Sequence, residues 1–168
     1  EEISYSFQNF NDFSVYHPED PLLKNGGSVA TATISFAGDV TANSTIQITT
    51  ATGITRSFKA VTGTASVTAD PPEFDRSGNA AATAASLKTA IEAALQGGTG
   101  GGFGGAITVA IDTATLTLTQ DAGGAEGNTA IIVQDNSADN ITISGAAAAT
   151  NPTGSFINGA GGANFSPK

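Results

Sequence analysis

The body of this sequence is written with a period of two. "VATATISF" at 29–36 places Ala30, Ala32, Ile34 and Phe36 on one side and threonine or serine on the other. "STIQITT" does the same with Ile46 and Ile48, and "GITRSFKAV" with Ile54, Phe58 and Ala60. Strict alternation over such short runs specifies half-buried strands. Gly38-Asp39 and Ala51-Thr52-Gly53 punctuate them, and further strand patterns lie at Ile107–Ile111, Leu116–Leu118, Ala130–Gln134 and Ile141–Ile143. Short strands at this spacing with turn residues between them predict a sandwich or barrel.

The alternation breaks once. Pro71-Pro72 forbids a central strand there. Between Asn79 and Leu95 the period becomes helical, with Ala80, Ala84, Leu87, Ile91 and Leu95 at three- and four-residue spacing. Alanine supports the helix through its propensity, Ser77 or Asn79 can cap its start, and Gly97 follows its end. The expected fold is mainly β: a β-sandwich-like domain with one amphipathic α-helix at about 79–96 and extended N- and C-terminal arms.

Three segments follow: an extended arm at 1–28, a β-rich domain with one helix at 29–145, and a C-terminal tail at 146–168. The arm holds Tyr5, Phe7, Phe10, Phe13 and Tyr16, and its "ISYSFQ" alternates Ile3, Tyr5 and Phe7 against Ser4, Ser6 and Gln8. "HPEDPLLKNGG" comes next, where the residues preceding Pro18 and Pro21 are pushed to extended conformations. The tail is rich in Ala, Gly and Asn, with Phe156 and Phe165, and reads as a loose end or a second docking arm. A length of 168 residues suits one domain plus extensions, large enough to form a core without metal or disulfide staples.

Composition removes several function classes. The absence of Cys excludes disulfides, thiolate catalysis and Cys-based metal sites. A net charge of -9 with only six Lys and Arg argues against nucleic acid and against anionic membrane surfaces as partners. No apolar run approaches the ~20 residues of a membrane-spanning helix. No signal peptide is visible, and the opening Glu1-Glu2 reads as a processed or trimmed chain. No cofactor is expected.

Candidate sites are few. The loop "DAGGAEGN" offers Asp121 and Glu126, with Asp135 and Asp139 further on; they read as acidic turn residues facing water or, alternatively, as oxygen ligands for calcium. Glu73 and Asp75 in "PPEFD" fall on one side of an extended segment, as a glycoside-hydrolysing carboxylate pair would, but acidic residues beside prolines are also ordinary loop composition. His17, the one histidine, sits in the arm, a poor platform for a catalytic triad. Gly100 to Gly105 formally spells GxGxxG but follows a helix and opens a strand, the reverse of a dinucleotide site. Sequons at Asn43, Asn140 and Asn164 are frequent by chance in a chain this rich in threonine and serine.

The arm carries the sharpest expectation. Ordering its backbone costs about what burying its own side chains returns, so main-chain pairing with a sheet edge must supply the difference. Ile3, Tyr5, Phe7, Phe10, Phe13 and Tyr16 are therefore read as a subunit-docking arm; the alternative is a strand in its own sheet.

The body also resembles a module of tailed-bacteriophage virion structural proteins. The resemblance runs from "TATISFAGDVTANSTIQITTATGITRSFKAVTG" through Phe74 and the alanine-rich Ala80–Leu95 to a closing "LTQ…G..GN..I", here Leu118-Thr119-Gln120, Gly124, Gly127-Asn128 and Ile131. The glycine tract at 97–105 departs from the short helix-to-strand link of that module. The resemblance implies a scaffold motif in which Gly127-Asn128 supplies turn chemistry, and a non-enzymatic virion structural protein: a capsid decoration subunit, or a tail or fibre component. Its partners would be copies of itself, or a major capsid or tail protein. The alternative is a subunit of a bacterial extracellular fibre or surface layer at the secreted cell surface. A carbohydrate-binding or adhesive module is a third class.

Overall fold

The computed structural model describes residues 27–95, 105–138, 140–146 and 149–161. Nine strands and one helix occur among them. In chain order these are β1 (Val29–Phe36), β2 (Thr45–Thr49), β3 (Thr55–Val61), β4 (Glu73–Asp75), α1 (Ala80–Leu95), β5 (Ile107–Asp112), β6 (Thr115–Gly123), β7 (Ala130–Gln134), β8 (Ile141–Ile143) and β9 (Thr153–Ser155). They form a four-stranded sheet of order β5-β6-β1-β8 and a five-stranded sheet of order β4-β3-β2-β7-β9. Every pairing is antiparallel except β3 with β4. The fold is thus the expected β-rich, sandwich-like domain with one helix.

Alternation decides which sides meet. Ala30, Ala32, Ile34 and Phe36 of β1 face inward with Leu116 and Leu118 of β6. Ile46 and Ile48 of β2, Phe58 and Ala60 of β3, and Ile131 and Val133 of β7 come from the other sheet. All belong to one buried cluster. On β1 and β6 threonine and serine hold most of the outward positions, where threonine's β-branching favours strand geometry.

Helix α1 closes one side of the sandwich. It packs on β4, the edge of the five-stranded sheet, and on β5, β6 and β1 of the other. Ala84, Leu87, Ala90, Ile91 and Ala94 form its buried stripe. Asn79 provides the cap, its Oδ1 accepting from the Ala82 N–H at 2.9 Å. Ser77 turns instead to Asp75, its hydroxyl donating to Oδ1 at 2.6 Å. Gly97, expected just past the helix, lies outside the described residues.

Two expectations need correction. Ile54 does not share the inner face of β3: the strand begins at Thr55, and Ile54 is 38% exposed in the preceding turn, its N–H bound to Thr50 Oγ1. The tail drawn from Ala146 is, between 149 and 161, part of the domain. Thr153–Ser155 is an edge strand on β7, and Phe156 is fully buried in the common core. Beyond Phe156 the chain crosses to the other sheet and runs beside β1, bridging Thr31 to Ile157 and Ser28 to Ala160. Ser28, assigned to the arm, therefore belongs to the domain. A segment low in apolar residues holds its place through main-chain bonds and one buried ring, which a periodicity argument does not detect.

Candidate functional site

The residues of the closing LTQ…G..GN..I stretch lie on β6, in the loop that follows it and on β7. Gln120 is fully buried between the sheets. Its Nε2 donates to Thr49 O at 3.1 Å and to Thr129 Oγ1 at 3.0 Å, and its Oε1 accepts from Ala51 N at 3.0 Å. One amide on β6 thus satisfies the end of β2 and the entry to β7, tying the sheets together where apolar contact alone would leave main-chain groups unpaired.

Beyond Gln120, the chain closes a short 3-10 turn, Ala125–Gly127, packed against β1. A Cβ on Gly127 would lie 2.9 Å from the Ala30 Cβ, so glycine here permits close approach of two backbones. Gly127-Asn128 does not use left-handed backbone, contrary to the turn chemistry expected. The left-handed residue is Gly124, at φ 123, while Asn128 has φ -77. Asn128 instead uses its side chain. Nδ2 donates to Gly159 O and Oδ1 accepts from Gly159 N, both at 2.9 Å. Gly159 in turn has no room for a side chain, because a Cβ would lie 2.4 Å from Gly124 O. Leu118 and Ile131 complete the signature as buried core residues.

The acidic residues of this region do not converge. Among the described residues no three His, Cys, Asp or Glu side chains gather in a group able to hold a metal ion. Asp121 and Glu126 are exposed on β6 and the 3-10 turn, Asp135 follows β7 with a left-handed φ of 56, and Asp139 lies outside the described residues.

Glu73 and Asp75 lie on one side of β4, as the alternation predicts, with Phe74 buried opposite. Their carboxylates are engaged in binding a loop. Glu73 Oε2 accepts from Ser66 N at 3.1 Å. Asp75 Oδ1 accepts from Gly63 N at 3.0 Å and from Ser77 N at 2.8 Å, besides the Ser77 hydroxyl. The Ser77 bonds, hydroxyl first, hold the Asp75 carboxyl below the ordinary carboxylate range. That favours a permanent anion and not a proton donor.

An open groove of about 460 Å³ crosses the outer face of the five-stranded sheet. Thr45, Gln47, Ser57 and Gln134 contribute to its lining, along with Arg56, Asp70 and Asp135. No aromatic ring lines it. Of the sequons, Asn43 sits in an exposed turn at φ 65, while Asn140 is half-buried with its amide donating to Asp39 O. Asn164 lies outside the described residues, as do His17, Gly100 to Gly104, and the expected docking residues Ile3, Tyr5, Phe7, Phe10, Phe13 and Tyr16.

Searches against protein-family models, curated proteins and solved structures return no match to this chain.

Proposed function

We propose that the chain is a non-enzymatic structural subunit of a tailed-phage virion, a capsid decoration protein or a tail or fibre component, that works by association. One observation carries this reading: the polar and glycine residues of the signature that resembles phage structural modules are consumed by the fold. Gln120, Gly127 and Asn128 bond or pack within the domain and present no reactive constellation. The carboxylates of Glu73 and Asp75 are likewise engaged in holding a loop. A domain whose distinctive residues are spent on rigidity serves as a shaped body, and its outward faces and arm are left to make contacts.

The test is location. Gold-labelled antibody against the folded domain, applied to purified phage particles from the source culture, should decorate the shell or the tail in a regular pattern. Label confined to cell-surface filaments, with clean particles, would replace this reading by the extracellular-fibre one.

A further inference from the structure

The edges of the two sheets are not equally finished. At β4 both outward-facing donors are capped: Glu73 N bonds Ser66 O at 3.0 Å and Asp75 N bonds Ser86 Oγ at 2.7 Å. At β9, Ser155 N donates to Ser144 O at 3.1 Å, and the Ser144 hydroxyl returns a bond to Ser155 O at 2.9 Å. At β8, a strand of only three residues, one outward carbonyl is met, Ile143 O accepting from Ala146 N at 2.9 Å. These are the usual means of blunting an edge against further pairing.

Edge strand β5 has no such cap. Asp121 N donates to Ala106 O, so the pairs that exchange bonds with β6 are Ala106 and then Thr108, Ala110 and Asp112. Ile107, Val109 and Ile111 therefore turn their N–H and C=O groups away from the sheet. Among the described residues none of these three amides donates a hydrogen bond. Among the described residues the helix offers these amides no acceptor. It packs on β5 as well as on β6 and β1, yet Thr108, Ala110, Ile111 and Asp112 of β5 stay exposed beside it. With six residues, β5 is longer than β4, β8 or β9 and contains neither Pro nor Lys.

The two sides of that edge differ. On the inner side Val109 is half-buried and Ile111 is 37% exposed, an apolar strip that continues outward. On the outer side Thr108, Ala110 and Asp112 face solvent. A strand added here needs apolar residues at alternate positions and small polar residues between them. "ISYSFQ" has that pattern, with Ile3, Tyr5 and Phe7 against Ser4, Ser6 and Gln8.

We propose that the open edge of β5 receives residues 3–8 of a second copy of this chain as an added strand. This rests on the reading of the chain as a subunit that works by association, and it names the surface and the partner. Chain length permits a neighbour's edge as well as the molecule's own. The described fold begins at Gly27, beside β1, and β5 lies two strands away, roughly 10 Å. Nineteen residues separate Gln8 from Ser28, a reach of up to roughly 60 Å when extended. Pro18 and Pro21 bias that spacer toward extension, which suits a span between subunits.

The test uses the full-length chain. Val109→Pro removes an outward N–H that makes no bond to β6, so it blocks strand addition while leaving the β5–β6 ladder intact. Ile111→Lys, which places a charge on the same edge, is the second variant should the first misfold. Tyr5→Asp combined with Phe7→Asp disables the donor strand. Amide exchange at Val109 and Ile111 is followed together with molar mass over a range of concentrations. The expected result is association that weakens about tenfold or more in each edge variant. Protection of the two amides should rise with concentration and vanish in the donor variant. Arm-dependent association with unchanged mass in both edge variants would overturn the β5 assignment while leaving the associating subunit in place. Protection of these amides in a monomer, independent of concentration, would also overturn it, because the molecule's own arm would then be the occupant. Association unaffected by the Tyr5 and Phe7 substitutions would remove the arm reading itself.

Discussion

Asn128 and Gly159 are joined by two hydrogen bonds of 2.9 Å, in which one side-chain amide pairs with the N–H and C=O of a single residue. The pair spans thirty-one positions and fastens the last described segment to the loop after β6. Asn128→Ala should cost about 1–2 kcal/mol, the net worth of two partly exposed hydrogen bonds. Urea unfolding would measure the loss, and faster amide exchange at Gly159 and Ala160 would locate it.

Gln120 is the larger single contribution. Replacing it by Leu fills a similar volume but leaves the half-buried Ala51 N–H without its partner. The expected cost is about 2–3 kcal/mol. Gln120→Glu should be worse at neutral pH, because Nε2 becomes an oxygen facing Thr49 O. Thermal unfolding of the two variants beside the parent would give the order.

The Gly127–Ala30 approach lends itself to a double-mutant cycle. Gly127→Ala should destabilise by about 1–3 kcal/mol, since the new methyl group meets the Ala30 Cβ at 2.9 Å. The other neighbours of that position are 3.6 Å away, an ordinary contact. Ala30→Gly removes the only clash, so the double variant should be more stable than the two single losses add up to. Additive losses would mean that the backbone itself, and not the methyl contact, demands glycine.

Acid should loosen the loop between β3 and β4. The folded carboxyl of Asp75 titrates below its ordinary range because the Ser77 hydroxyl and amide bind its anion, with a further bond from Gly63 N. A lowered folded value means that the contribution is present above the unfolded range and is lost as pH falls through the folded one. Ser77→Ala should raise the Asp75 midpoint toward that of a free carboxylate. The amide shift of Gly63, followed through an acid titration, reports it directly.

Much of this architecture was legible in the sequence wherever one physical signal dominated. The alternation in β1 and β2 and the 3.6-residue spacing of Ala84, Leu87 and Ile91 place each inward residue correctly. Ile54 misled because a β-branched residue next to a strand looks like its first member, whereas Thr50 Oγ1 ties its amide into the turn. The segment at 149–161 was not legible at all. Its position depends on Phe156 and on bonds to residues as distant as Ser28, and no local period encodes those. Gly127-Asn128 reads as a pair needing positive φ, but the left-handed backbone is at Gly124 and Asn128 acts through its amide. The open edge of β5 became visible only when the capped edges of β4 and β9 could be set beside it.

The account depends most on association through the N-terminal residues, and static light scattering on the full-length chain examines that directly. It predicts a molar mass that climbs above the 16.6 kDa of one chain as concentration rises, and that returns to the single-chain value when Tyr5 and Phe7 are both replaced by Asp. A mass of one chain at every concentration, or an oligomer indifferent to those two substitutions, would contradict it.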